Sequence, residues 1–134
     1  MVKIYIAAYK NFKDYNMLKR ILDYLLSKQN KEDVLFYVSS GEDGDSTCMR
    51  YVVENGYKYE DWCKNKFGNR AKQKLKYLKD STHSVLVTDG DSTGISIAIR
   101  YSTMYVKEKL VIVKPKENVF SIWKNGDMIA EKKL

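Results

Sequence analysis

The chain has 134 residues, is 44% hydrophobic and carries a formal net charge of +7. That length is close to the modal size of one domain, and the apolar content is enough for one core. No apolar run reaches the ~18 residues of a membrane span, and "MVKIYIAAYK" turns polar too soon for a secretory signal. A cytoplasmic protein with no membrane partner is therefore expected, in the host cytoplasm if the gene is phage-borne. Cys48 and Cys63 have neither metal nor redox spacing and read as ordinary reduced thiols. From Lys64 to Lys79 there are seven basic residues and no acid, and outside that stretch bases and acids balance at 17 each. The charge excess is thus local. Only four of the 24 basic residues are arginine, a lysine bias that fits an AT-rich genome such as that of a phage or mobile element.

In chain order, the pattern alternates strand and helix. "VKIYIAA" (2–8) reads as a buried strand. A helix follows from about Asp14, a suitable N-cap, with Leu18, Ile21, Leu22 and Leu25 on one face. "VLFYVSS" (34–40) is a second strand, "GEDGDST" a loop, and Ser46 to Asn55 a helix closed by Gly56. "YKYE" reads as a short third strand, and a long basic helix is expected from about Asp61 to Leu78, with Gly68 as a break point. "HSVLVTD" (83–89) is the fourth strand. The next helix starts at Ser92 or Thr93, with Ile95, Ala98, Ile99 and Ser102 inward, and "KLVIVK" (109–114) is the fifth strand. After Pro115, "VFSIW" and "MIAEK" flank Asn125-Gly126, the strongest short hairpin signal. The expected fold is α/β: a mainly parallel five-stranded sheet with helices on both faces over 1–115, and a C-terminal β-hairpin over 116–134 that extends the same domain.

Ligands of such sheets lie beyond the carboxyl ends of the strands, at the point where the strand order reverses. Three loops compete for that place: "AAYKNF", "SSGEDGDS" and "DGDSTG". The last two are glycine-rich and lead into helices, whose N-termini favour anions. The plain alternative is that they are turns, with Ser46 and Ser92 only capping helices.

At these loops the chain resembles YspA-like members of the SLOG superfamily, relatives of the lysine-decarboxylase-like LOG proteins and of the DprA Rossmann-like domain. "VKIYIAAYKNFKDYNMLKRILDYLL", "VLFYVSSGEDGDSTCMRYVVENG", "EDW" and "VLVTDGDSTGISIAIRYS" follow the family's landmarks in order, over residues 2 to 114. The first family motif falls on Ala8, Tyr9 and Lys10, with Asn11 and Phe12 matching. The second falls on Ser39, Ser40, Gly41, Gly44, Asp45 and Ser46, and the last on Asp89, Gly90, Ser92, Gly94 and Ile95. Thr93 lies within the last loop. The resemblance implies a Rossmann-like sheet that binds a nucleotide or nucleotide-derived molecule through these residues, in a homodimer or larger homo-oligomer. LOG enzymes cleave an N-glycosidic bond with the help of a glutamate in this last loop. Here Ala98 stands at that position and Ile95 at the threonine before it. The Arg-Asn pair that YspA-like proteins carry early in the fourth helical segment is not clearly matched; "RAKQKLKYL" lies two residues short there, and Arg70 or Lys74 is the candidate substitute.

Alanine cannot handle a proton, so no catalytic residue is expected; separately, no cofactor and no resident metal are expected. The expected function is non-catalytic binding, and in a phage sequestration, of a nucleotide-derived signal. Two alternatives stand beside it: a LOG-like nucleotide hydrolase, and a nucleic-acid or protein interaction module using Lys66, Arg70 and Lys74 along the basic helix. The acids Glu42, Asp43, Asp45, Asp89 and Asp91 repel phosphate and are expected to contact ribose hydroxyls or face solvent, with a divalent metal that bridges phosphates as the third, less favoured option. His83, the only histidine, lies at the opposite end of the sheet and reads as structural.

Overall fold

A computed structural model describes residues 1–40, 43–63 and 70–134. In chain order the elements are β1 (Val2–Ala8), α1 (Tyr15–Leu25), β2 (Val34–Val38), α2 (Asp43–Glu54), β3 (Lys58–Asp61) and α3 (Arg70–Asp80). Then come β4 (His83–Val87), α4 (Thr93–Tyr105), β5 (Lys109–Lys114), β6 (Val119–Lys124) and β7 (Asp127–Lys133). Among the described residues they form one seven-stranded sheet in the order β3-β2-β1-β4-β5-β6-β7. The first five pair in parallel. β6 pairs antiparallel with β5, and β7 antiparallel with β6. The hairpin is therefore not an appendage: it completes a mixed sheet.

The strand alternation of β1 shows why helices lie on both faces. Ile4, Ile6 and Ala8 point to one side and pack with Met17, Leu18 and Leu22 of α1 and with Tyr51 and Val52 of α2. Tyr5 and Ala7 point to the other and pack with Tyr77 and Leu78 of α3 and with Ile95 and Ala98 of α4. Burying each large apolar side chain contributes about 1.5–3 kcal/mol, so the two faces together hold the sheet between its helix layers.

Local chemistry sets most element ends. The Asp14 carboxylate accepts the Met17 N–H at 3.1 Å, an N-cap on α1. Gly56, at φ +71°, ends α2: its N–H donates to Val53 O and the Tyr57 N–H to Val52 O, the paired bonds of a Schellman motif. Asn125 and Gly126 both have positive φ, as a two-residue type I′ hairpin turn requires.

Three sequence expectations need correction. α2 starts at Asp43 rather than Ser46, so most of the supposed loop "GEDGDST" is helical, and Ser46 lies inside the helix instead of capping it. The reason is Gly44: with no Cβ, it lets the first turn of α2 press onto the carbonyl of Tyr9. The basic helix does not begin at Asp61, which is the last residue of β3 and is followed by a turn at Trp62 and Cys63. α3 runs from Arg70, and the expected break at Gly68 falls outside the described residues. Finally, β2 and β4 end at Val38 and Val87, two residues early, because the side chains beyond them form the loop bonds described below.

Candidate functional site

The strand order reverses between β1 and β4: from β1 the chain moves to β2 on one side, and from β4 to β5 on the other. A cavity of about 420 Å³ opens there. Its floor is Tyr5, Ala7 and Ala8 of β1. Arg70 and Lys74 form the α3 wall, one turn apart, and Ser92, Gly94, Ile95 and Ala98 form the α4 wall. Lys10, Asp45 and Trp62 complete it.

Each wall follows from a local feature. α4 begins at the cavity because the preceding loop is self-braced. Asp89 Oδ1 accepts the N–H groups of Asp91 at 3.0 Å and Ser92 at 2.8 Å. Those bonds, Ser92's first, hold its carboxyl below the ordinary range. The Gly90 N–H donates to Thr88 Oγ1 at 3.0 Å, with Gly90 at φ +88°, where a side chain is strained. The Ser92 hydroxyl makes no cap bond, so the first turn of α4 meets the cavity without a side-chain acceptor on its N–H groups. On the opposite side, Asp45 is buried, and its Oδ1 accepts the Ala8 N–H at 3.1 Å. It ties α2 to the end of β1.

The cavity is cationic. Among the described residues that line it, Lys10, Arg70 and Lys74 carry positive charge and Asp45 alone carries negative. Burial, then the neighbouring Arg70, lowers the Lys74 pKa. That is the signature of a cation held partly out of water beside another cation. Among the described residues Lys74 Nζ donates to the Gly94 carbonyl, at 3.4 Å. The Arg70 guanidinium lies 5.7 Å over the Trp62 ring.

Of the residues expected from the sequence, the cavity gathers Ala8, Lys10, Asp45, Arg70, Ser92 and Gly94. Tyr9 is beside it, its ring packed edge-on against Phe12 at 5.7 Å, and Asn11 is exposed. Ser39 is buried against the Cys63 thiol, with Oγ and Sγ 2.7 Å apart. The Ser40 N–H donates to Asp61 Oδ1 at 3.3 Å. Gly44 faces the chain's own backbone, Asp89 and Gly90 shape the loop, and Thr93 opens α4; none of the four lines the cavity. Gly41 and Lys66 lie outside the described residues. Sequence reasoning missed Tyr5 and Trp62 as site residues. Their signal was faint: a hydroxyl in the middle of a central apolar strand, and a tryptophan just after an edge strand.

A second cavity, of about 280 Å³, lies between α1 and the β6–β7 hairpin against Tyr24 and Phe120. Arg20, Lys132 and Lys133 line it, but it lies beside the hairpin and not at the strand-order reversal. Among the described residues no three His, Cys, Asp or Glu side chains cluster as metal ligands. No helix among them is long and apolar enough to cross a membrane. Compared with known protein families, with curated proteins and with solved structures, the chain matches none.

Proposed function

We propose that the protein binds a nucleotide or nucleotide-derived signalling molecule in the β1–β4 cavity and releases it unchanged. The observation that carries this reading is the convergence of Lys10, Arg70, Lys74 and the start of α4 on one cavity at the strand-order reversal. Three cations against one carboxylate favour an anionic ligand, and about 420 Å³ suits a mononucleotide-sized one. The resemblance to YspA-like proteins points the same way. Ala98 lines the cavity where LOG enzymes carry their glutamate, and Asp45, the one acid among the described residues of the wall, is tied to the Ala8 N–H. That supports binding over turnover. In a phage, such a protein sequesters a host signal.

The test is a thermal-shift screen against AMP, NAD, ADP-ribose and cyclic di- and oligonucleotides, with chromatography of each mixture. A ligand at about 100 times its dissociation constant stabilises the fold by about 2.7 kcal/mol. The expected result is a shift with the ligand recovered intact. A converted ligand would make the protein an enzyme, and no shift with any of them would remove the reading.

A further inference from the structure

Among the described residues three buried polar atoms have no hydrogen-bond partner: the Tyr5 hydroxyl, the Trp62 indole nitrogen, and Asp61 Oδ2, whose sister oxygen accepts the Ser40 and Cys63 N–H groups. Tyr5, in the cavity floor, is fully buried, and its hydroxyl meets no acceptor. Trp62 is 2% exposed, and its indole N–H likewise has no acceptor among the described residues. Their rings stack, with centroids 6.2 Å apart and 24° between planes. A buried donor left unpaired is costly, and native structures keep few of them. Two in neighbouring rings beside one cavity call for a partner that comes from outside. Burial, and next Asp45, push the Tyr5 phenol well above its ordinary pKa, so it keeps its proton. An indole N–H can only donate. Beside them stand Lys74 and Arg70, both donor-only cations.

Asp45 aside, which is tied to the Ala8 N–H, the set is made of donors and positive charge, the complement of a group made of acceptors and negative charge. We propose that Tyr5, Trp62, Lys74 and Arg70 form the seat of a phosphate group, in place of the glycine loops to which the sequence points. This rests on the reading that the cavity takes a nucleotide-derived ligand, and it names the part of that ligand the protein holds. Four donor side chains from three segments suit the three oxygens of a terminal phosphate better than the two of a carboxylate. Both orphan donors are closed to bulk water. The long side chains of Lys74 and Arg70 turn onto the anion as it enters, and that movement uncovers them.

The protein carries two tryptophans, and this supplies an internal control. Trp123 Nε1 already donates to Ser121 Oγ at 2.8 Å. A ¹⁵N-labelled sample is titrated with inorganic phosphate, pyrophosphate, AMP, ADP-ribose and adenosine while the two indole N–H resonances are followed, with Trp62→Phe to assign them. The expected result is a saturable downfield shift of the Trp62 indole with the phosphate-bearing probes. Adenosine leaves it in place, and Trp123 stays still throughout. Tyr5→Phe, which keeps the ring and deletes the unpaired hydroxyl, folds with an unchanged or higher Tm. It binds AMP or pyrophosphate about tenfold more weakly, the value of one hydrogen bond to a charged group. If AMP binds while the Trp62 indole stays fixed and Tyr5→Phe retains full affinity, the phosphate seat is wrong and the cavity reading survives. An equal shift with adenosine assigns the seat to the base and overturns the inference. If no phosphate-bearing probe binds, both fall.

Discussion

Gly44 and Gly94 look alike in the sequence, each a glycine of a loop entering a helix, and their surroundings separate them. A Cβ on Gly44 would sit 1.9 Å from Tyr9 O and 2.8 Å from Ala8 O, both backbone atoms that cannot step aside. Gly44→Ala is expected to destabilise the fold by about 3 kcal/mol or more, at the upper end of overpacking effects, as urea denaturation would measure. A Cβ on Gly94 meets only Lys74 Nζ, at 3.8 Å. Gly94→Ala is expected to leave stability unchanged or raise it by up to about 1 kcal/mol. A matching loss in both variants would show that α2 does not press onto the first loop as described. At this scale the sequence was legible where a residue acts on its own backbone, as Asp14 and Gly56 do. It was not where a residue's meaning depends on a distant neighbour. Tyr5 reads as core because it sits in an apolar run, and only packing under α3 and α4 turns its hydroxyl into an orphan. Asp89 reads as an acid facing the ligand, whereas it folds back to hold Asp91 and Ser92.

Among the elements, β1 and β5 match their expected bounds to the residue, since a strand buried on both faces prints an unbroken apolar run. The start of α2 did not, because its polar first turn carries no helical period. The basic stretch was harder still. Its i, i+4 ridge reads as a phosphate-tracking face, yet Arg70 and Lys74 turn from α3 into the cavity. Two predictions belong to elements. Gly126 holds the β6–β7 turn at φ +81°, so Gly126→Ala should lower stability by about 1–2 kcal/mol. Thermal unfolding would show it, and an unchanged Tm would contradict the I′ turn. At the amino end of β4, burial lowers the His83 pKa below its ordinary 6.5, more than Glu108, 3.4 Å away and mostly exposed, restores it. Because the folded state resists protonation, this contribution to stability is full above pH 6.5 and is lost as pH falls through the lowered folded value. His83→Gln should flatten the fall in Tm between about pH 6.5 and 5. A wild-type Tm that rises over that interval would reverse the sign.

For the whole molecule, the alternation of strands and helices was enough to expect a parallel sheet covered on both faces. It was not enough to join the hairpin to it, because hairpin signals say how two strands pair with each other and nothing of a third. The net charge of +7 and the cavity cations give the molecule a field that attracts anions, screened beyond about 10 Å at 0.1 M salt. Nucleotide affinity should therefore weaken several-fold between about 0.05 and 0.5 M salt, and a salt-independent affinity would mean that the charges of the cavity are not used.

The most direct measurement of the central claim is calorimetric titration of AMP and ADP-ribose into the wild-type protein and Gly94→Glu. Gly94 lies in the first turn of α4, where a glutamate complements the helix dipole, and a Cβ there meets only the far end of the Lys74 side chain, at 3.8 Å. The fold should be kept while a carboxylate enters the cavity beside Lys74. If the β1–β4 cavity holds the ligand's phosphate, the wild type binds and the variant, equally folded, binds at least about tenfold more weakly. Equal affinity in the two proteins, or no binding by the wild type, would contradict it.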